Sequence, residues 1–390
     1  MKICYIAPTF YPAKSIGGPT VSSFNKCKLL SKNNSITVFT TNSDGKIKTH
    51  LKNGQIKIIN KNFKIKYFYE NLANLISLSF YYNILLNFRK YDFVIIDDLF
   101  SGYSLFSIYY SLILNKKFII IPRGVLSVWS LNNRRKYIKY LWIKLFINPI
   151  HKKIVWEATT DHEQKQIIKI FPKSQTIVVP NSIDLDIYKK VKKLKKINYQ
   201  KKFIRNKAKY HKIIVFVGRL HPVKNLSSLI YSFEKIVKND PGIILLIAGN
   251  DAGDKSNLIK LVNYLKLQQN VIFVGFLDTR NKIEFLKGAN LFICISKTEN
   301  FANVVLEACA CNIPSIVSKE VPWKILEKYN CGKQIKASRN NLTRTIYQFL
   351  YENKAKKSKR DFTNLIKKFT HKNVNTLTNF YYRKLLNEKN

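Results

Sequence analysis

The fold is organised around the stretch Glu-Asn-Phe-Ala-Asn-Val-Val-Leu-Glu, residues 299–307, which begins and ends with a glutamate. A β-like run precedes it at residues 291–296, and an apolar helical run continues it at residues 304–310. The local order is therefore strand, loop, helix, with Glu299 in the loop and Glu307 about one turn inside the helix. A helix N-terminus offers free N–H groups and the positive end of the helix dipole. Carboxylates on both sides of it suit a ligand with a phosphate between two sets of hydroxyls, such as a nucleotide sugar, although two surface glutamates are the simpler alternative.

Length and composition predict a globular cytosolic protein. The chain has 390 residues, 46% of them hydrophobic, which is ample for two domains. The only close cysteine pair, Cys309 and Cys311, lacks a second Cys or His pair at zinc-like spacing, so all six cysteines are expected to be reduced core thiols. We expect no signal peptide, because the apolar run at the N-terminus is short and no small-residue cleavage site follows it. We expect no transmembrane helix, because no apolar run reaches the roughly 18–20 residues that a membrane span requires.

The net charge of +45 has three possible meanings. A basic surface binds nucleic acid or anionic lipid, or it reflects biased composition, which the joint richness in Lys, Asn and Ile favours. No nucleic-acid-binding motif is evident, so we expect no nucleic-acid partner. Residues 132–146 form the best candidate for a helix on an anionic membrane surface, and the aromatic stretch 63–88 is a second. The alternative is a solvated helix with one packed face for residues 132–146 and a core helix for residues 63–88.

Strands and helices alternate through both halves of the chain. This alternation predicts an α/β fold with two doubly wound domains, each a parallel sheet covered on both faces. We place the N-terminal, acceptor-side domain at residues 1–185, where the lysine-rich linker begins. The C-terminal, nucleotide-sugar-binding domain follows at residues 186–365, and residues 366–390 form a helix that packs back toward the N-terminal domain.

Several loops follow predicted strands, at the sheet edge where α/β proteins place ligands. Arg219 and Lys224 share one such loop, and two cations are what a departing diphosphate needs. Solvated cations are the alternative in so basic a chain. Asp97 and Asp98 end another predicted strand, where they either contact a ligand or cap the following helix. The Asp184-Leu185-Asp186 string is a weak candidate for a metal site.

Three motifs resemble glycosyltransferase family 4. They are GRL-x-P-x-KN at residues 218–225, the paired-glutamate stretch at residues 299–307, and EACACNIP at residues 307–314. Weaker matches are Gly17-Gly18, VPNSID at residues 179–184 and VGF at residues 274–276. The resemblance covers nearly the whole chain in the right order. It implies a GT-B fold, in which a ligand cleft lies between two Rossmann-like domains, and a metal-independent, cofactor-free transfer that retains the anomeric configuration.

The resemblance also assigns roles to residues. Arg219 and Lys224 would hold the donor diphosphate, Glu299 would sit beside the donor sugar, and Glu307 would bind the ribose hydroxyls. The phosphate, sugar and base of the donor would also contact the other donor-binding residues, which are Gly218, Phe301, Ala302, Asn303, Val304, Gly275, Phe276, Gly17 and Gly18. The acceptor or cleft side would use Arg123, Asp98 and Asn181.

The sequence departs from the family at two places. Asn300 and Ala302 stand where the paired-glutamate loop usually has glycines, and their side chains hinder backbone approach to a ligand unless the loop is reshaped. Arg123-Gly124 stands where His-Gly is common, and an arginine cannot act as a base. The resemblance therefore favours a front-face mechanism, in which the leaving phosphate takes the acceptor proton.

The leading hypothesis is a hexosyltransferase that moves a sugar from a nucleotide-sugar donor to a growing, lipid-linked glycan of a cell-surface polysaccharide such as O-antigen or capsule, on the inner face of the cytoplasmic membrane. A GT-B hydrolase or epimerase of nucleotide sugars would instead consume its donor without an acceptor. A basic nucleic-acid-binding protein would bind DNA or RNA with a steep salt dependence that mutation of the glutamates leaves unchanged.

Overall fold

The computed structural model describes residues 1–13, 17–44, 47–72, 76–204, 210–352 and 357–387. Its strands are β1 (Lys2–Ile6), β2 (Ser35–Thr41), β3 (Ser43–Asp44), β4 (Ile47–Lys48), β5 (Ile56–Asn60), β6 (Phe63–Phe68), β7 (Phe93–Ile96), β8 (Lys117–Ile120), β9 (Val155–Ala158), β10 (Gln175–Val178), β11 (Lys212–Val217), β12 (Ile243–Ala248), β13 (Val271–Gly275), β14 (Leu291–Cys294), β15 (Ser315–Ser318) and β16 (Gly332–Ile335). Its helices are α1 (Gly18–Leu30), α2 (Leu78–Asn87), α3 (Gly102–Ile113), α4 (Val128–Asn132), α5 (Lys136–Trp142), α6 (Asp161–Ile170), α7 (Leu185–Lys190), α8 (Lys196–Tyr199), α9 (Leu226–Asn239), α10 (Lys255–Tyr264), α11 (Thr279–Lys287), α12 (Asn303–Ala310), α13 (Ile325–Lys328), α14 (Arg339–Leu350), α15 (Phe362–Lys367) and α16 (His371–Asn387).

The chain divides into two compact units. Unit 1 comprises Met1–Ser182 and His371–Asn390, and unit 2 comprises Ile183–Thr370. The last helix, α16, therefore belongs to unit 1, although it follows unit 2 in the chain. Our predicted boundaries lay at residues 185/186 and 365/366.

Unit 1 is built on an eight-stranded sheet in the order β10-β9-β8-β7-β1-β2-β6-β5. Alternate residues of β1 point to opposite faces: Ile3 and Tyr5 enter one buried apolar cluster, whereas Cys4 and Ile6 enter another. α16 contributes Tyr382 to the first cluster. The strand order reverses between β1 and β7. The loops that follow these two strands therefore leave the sheet edge in opposite directions, and α/β proteins commonly bind ligands at such a point.

Unit 2 repeats the plan with a six-stranded, wholly parallel sheet in the order β13-β12-β11-β14-β15-β16. Along β11, Val215 enters one apolar cluster and Ile214 and Phe216 enter the cluster on the other face. Both faces of the sheet are buried, which explains why its strands read as continuous apolar runs. The order reverses between β11 and β14.

Three elements differ from the prediction. β5 pairs antiparallel with β6, so the sheet of unit 1 is mixed at its edge. The range 63–88 contains β6 and α2, not one helix. The predicted helix 132–146 is broken, because Arg134 and Arg135 adopt positive φ angles of 36° and 53° before α5 begins.

Within the described ranges, the chain has no helix that combines the length and the apolar character needed to cross a membrane.

Candidate active site

Two loops meet where the strand order of unit 2 reverses. One follows β11 and contains Arg219 and Lys224, and the other follows β14 and contains Glu299. The backbone N–H of Lys297 in the second loop donates to the carbonyl of Val223 in the first at 2.8 Å. The sheet topology thus brings together side chains that are about 75 residues apart in sequence.

An ion pair joins these two loops. The Lys224 Nζ atom contacts Oε1 of Glu299, and both side chains are largely buried. The Ser296 hydroxyl donates to the same Oε1 atom at 2.8 Å. The Oε2 atom of Glu299 accepts no hydrogen bond within the described part of the chain, so one oxygen is fixed by the protein and the other is available to a ligand.

The helix that follows this loop, α12, carries the second predicted glutamate. Oε1 of Glu307 accepts a hydrogen bond from Lys282 Nζ of α11 at 2.7 Å. Its Oε2 atom is buried and has no hydrogen-bond partner among the described residues. A buried carboxylate oxygen without a donor is costly, and a ligand hydroxyl would satisfy it.

The N-terminus of α12 suits a phosphate. The N-cap residue, Ala302, makes no side-chain hydrogen bond to the first turn, which begins with Asn303 and Val304. N–H groups of a first turn have no partner inside the helix, and the helix dipole adds positive potential there. Phe301 is anchored behind this turn, because its carbonyl accepts a hydrogen bond from the indole of Trp323.

The backbone of Ala302 shows how the loop accommodates an alanine where the family motif usually has glycine. It adopts a left-handed conformation at φ 61° and ψ 67°, the region that favours glycine. The loop therefore keeps a glycine-like backbone at the helix start, although the residue is alanine. Such a conformation costs a non-glycine residue about 1–2 kcal/mol.

The cationic side of the site is Arg219. Its exposed side chain makes no ion pair or hydrogen bond in the part of the chain that the structure describes. The neighbouring Gly218 receives a close backbone approach, since a Cβ at Gly249 would lie 1.8 Å from the Gly218 carbonyl oxygen. Gly275 adopts φ 83° at the end of β13, and Phe276 beside it is 66% exposed. Both lie at the same sheet edge as Arg219.

Two of the predicted acceptor-side residues, Arg123 and Asn181, belong to a buried network in unit 1. The Arg123 Nε and Nη2 atoms donate to the two oxygens of Asp97 at 2.7 and 3.1 Å, and Nη1 donates to Asn181 at 3.3 Å. The hydroxyls of Tyr5 and Ser23 also donate to Asp97. Burial raises the pKa of Asp97, but Arg123 and the two hydroxyls outweigh it and hold this pKa below its ordinary value.

A buried carboxylate holds the Arg123 loop in place. Glu163 of α6 accepts hydrogen bonds from the Gly124 N–H at 2.6 Å and from the Thr159 N–H at 2.7 Å. Burial nevertheless raises the pKa of Glu163. Arg123 and Gly124 have φ angles of 54° and 79°, so this contact fixes an uncommon backbone turn.

Asp98 is separate from this network. It caps the next turn by accepting from the Phe100 N–H at 3.4 Å, and burial raises its pKa. Gly17 is the N-cap of α1 with φ 76°, and Gly18 is the first residue of that helix. The Asp184 side chain caps α7 by accepting from the Asp186 N–H at 3.2 Å. No group of three or more possible metal ligands occurs within the described ranges.

Sequence reasoning missed the partners of the predicted residues. Lys282 holds Glu307 and Ser296 holds Glu299, whereas Tyr5, Ser23 and Asp97 surround Arg123. Nothing in the sequence separates Lys282 from the other lysines. Asp97 ends a predicted strand, but its neighbour Asp98 was predicted as the acceptor-side residue.

Comparison with known proteins gives a consistent assignment. The family model for glycosyl transferases group 1 matches residues 198–368. An uncharacterised glycosyltransferase of Methanocaldococcus jannaschii is 32% identical over 224 residues, which cover 55% of this chain and 53% of that relative. N-acetylgalactosamine-N,N'-diacetylbacillosaminyl-diphospho-undecaprenol 4-alpha-N-acetylgalactosaminyltransferase of Campylobacter jejuni is 29% identical over 147 residues, 38% of this chain and 35% of that relative. The chain thus spans about half of the first relative and about a third of the second.

The fold extends over nearly the whole chain. The crystal structure of Anabaena HepE in complex with UDP and glucose superposes with a TM-score of 0.72 at 16% identity, covering 98% of this chain and 99% of that one. Two parallel-sheet α/β units with this topology are the GT-B architecture. Residues 198–368 thus match the family model for glycosyl transferases group 1, and the chain as a whole has the GT-B fold.

Proposed function

We propose that this protein is a retaining, metal-independent hexosyltransferase that moves a sugar from a nucleotide-sugar donor to a lipid-linked glycan. The observation that carries the proposal is the buried, unpartnered Oε2 atom of Glu307, one turn inside a helix whose N-terminus suits a phosphate. A carboxylate there discriminates strongly for a ligand with a ribose diol, because a ligand without those hydroxyls leaves the oxygen unpaired.

In the proposed reaction, the cations stabilise the leaving group. Arg219 binds the diphosphate, and Lys224 adds a second positive charge while it orients Glu299. The bond between the anomeric carbon and the phosphate oxygen breaks, and the bond to the acceptor oxygen forms on the same face. The acceptor proton passes to the leaving phosphate, so no side-chain base is required. Negative charge that develops on the diphosphate is offset by groups already in place.

Replacement of Glu307 by glutamine tests the donor site. We expect Glu307→Gln to weaken binding of the matching nucleoside diphosphate about tenfold or more, because a charge-assisted hydrogen bond to the ribose is lost. The measurement is titration calorimetry with UDP, GDP, ADP and dTDP. Glu234→Gln is the matched control, since Glu234 is also a lysine-paired glutamate of unit 2, in α9. Equal affinity of the Glu307 and Glu234 variants would contradict the assignment.

Donor turnover separates the transferase from the alternative enzymes. A transferase consumes its nucleotide sugar only with an acceptor, whereas a hydrolase or epimerase consumes it alone. We expect Glu299→Gln to slow transfer more than it weakens donor binding, since one oxygen of Glu299 is free for the donor sugar. We propose a lipid-linked acceptor because the Campylobacter jejuni relative is named for a sugar linked to diphospho-undecaprenol.

We also propose that unit 1 lies on the inner face of the cytoplasmic membrane. Residues 99–156 contain ten Lys and Arg residues and no Asp or Glu. Within this segment α5 exposes aromatic and aliphatic side chains, Tyr137 (84%), Ile138 (61%) and Leu141 (56%). Cations beside exposed apolar groups suit an anionic lipid surface. Lys139 contributes little, because its Nζ atom donates to the carbonyls of Ser130 and Asn133.

Vesicle flotation tests the membrane proposal. We expect the protein to float with phosphatidylglycerol vesicles at low salt and not with phosphatidylcholine vesicles. Tyr137→Glu should reduce flotation severalfold, because it places a negative charge at the interface. Tyr264→Glu in α10 of unit 2 is the control, since Tyr264 is similarly exposed at 80%. Absence of flotation on anionic vesicles would refute the proposal.

A further inference from the structure

A cavity of about 820 Å³ lies at the other edge of the unit 2 sheet. Lys212 is the first residue of β11, Asn290 immediately precedes β14, and Pro314 immediately precedes β15, and all three line the cavity. These are the amino ends of the parallel strands. The candidate active site lies at their carboxyl ends, so the cavity is a separate feature.

The charge of this cavity is of one sign. Seven Lys and Arg side chains line it, and none of its described lining residues is Asp or Glu. Its floor is apolar and includes Ile313, Leu350 and Ile366. Like charges around a low-dielectric concavity repel one another and raise the local concentration of anions.

Some of these cations have a structural role. The Lys287 Nζ atom donates to the carbonyls of Tyr188 and Val191 at 2.6 and 2.5 Å, and Arg360 pairs with Glu352. The side chains of Lys189, Lys193 and Lys357, by contrast, make no ion pair or hydrogen bond within the described ranges.

The cavity lysines are not needed to cap α12, which ends at this cavity. The N–H of Cys311 donates to the Glu307 carbonyl at 3.1 Å, and the N–H of Ile313 donates to the Ala308 carbonyl at 3.0 Å. Asn312 between them takes the left-handed conformation at φ 59° that closes such a turn. The end of the helix is therefore satisfied by backbone alone, and the free lysines remain available to a ligand.

We propose that this cavity binds a small, multiply charged phosphate compound, held by Lys189, Lys193 and Lys357 over the apolar floor. A cavity of this volume accommodates a compound of nucleotide size. The proposal does not depend on the sugar-transfer activity, since it concerns the opposite edge of the sheet and different residues.

Binding of inorganic tripolyphosphate tests the proposal. The titration uses the full chain with Arg219→Ala, which removes the free cation of the candidate active site. The variant is Lys189→Glu/Lys193→Glu. The control is Lys260→Glu/Lys328→Glu, which makes the same charge change at two exposed lysines of unit 2 outside the cavity. We expect the cavity variant to lose affinity about tenfold or more. The control should stay within about threefold, since Lys260 and Lys328 do not line the cavity and exposed charges outside a binding site are screened.

Three results would overturn the proposal. The first is undetectable binding of tripolyphosphate to the Arg219→Ala protein before the charge reversals. The second is an equal loss of affinity in the two double variants, which would indicate attraction by net charge alone. Loss of phosphatidylglycerol flotation in the cavity variant with unchanged tripolyphosphate affinity would indicate a lipid surface. Lys357→Gln guards against misfolding: it removes one charge without reversal, and we expect a smaller loss of affinity with an unchanged circular dichroism spectrum.

Discussion

Arg123, which the family resemblance assigns to the acceptor or cleft side, has surroundings that the sequence did not reveal. It lies in the loop that follows β8. Its guanidinium, however, donates to four side chains of unit 1, those of Asp97, Asn181, Tyr5 and Ser23. The charge of Arg123 is thus balanced inside the unit by Asp97. Its environment makes it part of a rigid network rather than a loosely held cation.

Replacement of Asp97 tests this network. We expect Asp97→Asn to lower the free energy of unfolding of unit 1 by about 3–5 kcal/mol, because it leaves the Arg123 charge buried and unpaired. Urea unfolding at pH 7 measures the loss. Asp98→Asn is the control: burial already raises the pKa of Asp98, so a neutral amide is tolerated there. A loss at Asp98 as large as that at Asp97 would refute the interpretation.

The lowered pKa of Asp97 also predicts the direction of a pH dependence. The ordinary pKa of this carboxyl is 3.8, and its pKa in the folded protein is lower. The Asp97 carboxylate therefore stabilises the fold fully above pH 3.8, and this stabilisation is lost as the pH falls through the lower, folded-state value. The Asp97→Asn variant should lack this part of the acid unfolding profile. Identical profiles of variant and parent below pH 4 would contradict the assignment.

The sequence could predict only those residues of the candidate active site that lie in recognisable motifs. Arg219, Lys224, Glu299 and Glu307 follow parallel strands at fixed spacing, so their place at one sheet edge is predictable. Lys282 is not predictable in this way, because the chain has 68 Lys and Arg residues and only packing selects one of them. The direction in which each carboxylate oxygen points likewise depends on contacts across the fold.

At the scale of elements, α16 completes the core of unit 1. The Tyr382 hydroxyl donates to Oε2 of Glu157 at 2.6 Å, and Lys26 of α1 pairs with Oε1 of the same glutamate. Glu157 is 1% exposed, and burial lowers the pKa of Lys26 despite this pair. A helix from the end of the chain thus supplies a donor that a buried carboxylate in β9 requires.

Removal of one hydroxyl tests the contribution of α16. We expect Tyr382→Phe to lower the free energy of unfolding by about 1–3 kcal/mol, since it leaves a buried carboxylate oxygen without its donor. Tyr381→Phe is the matched control on the same helix, where the change should stay within about 0.5 kcal/mol. Urea unfolding measures both, and equal effects would show that the hydrogen bond is not the cause.

Some element boundaries could not be predicted because they depend on local exceptions. The helix predicted at residues 132–146 has suitable periodicity, but two consecutive arginines with positive φ interrupt it. β5 lies antiparallel at a sheet edge, where alternation of strands and helices gives no information about direction. The helical run at residues 304–310, by contrast, was predicted with nearly the correct bounds, since α12 spans Asn303–Ala310.

For the whole molecule, the sequence predicted the fold class because the same plan occurs twice. Each unit alternates strands and helices, and each sheet reverses its strand order next to its first strand. The reversal places the loops after β1 and β7, and those after β11 and β14, at ligand-binding edges. The cavity at the opposite edge was not predictable, since its lysines come from elements without a shared motif.

The assignment of α16 to unit 1 has a consequence for synthesis on the ribosome. Residues 1–182 emerge first, but they lack Tyr382 and the rest of α16 until the whole of unit 2 has been translated. Unit 2 is contiguous in sequence and is released as one piece. Although domains generally fold in the order in which they emerge, here the earlier unit acquires its full set of contacts last. Nascent chains stalled before residue 371 should therefore present a unit 1 whose buried Glu157 still lacks one of its two partners.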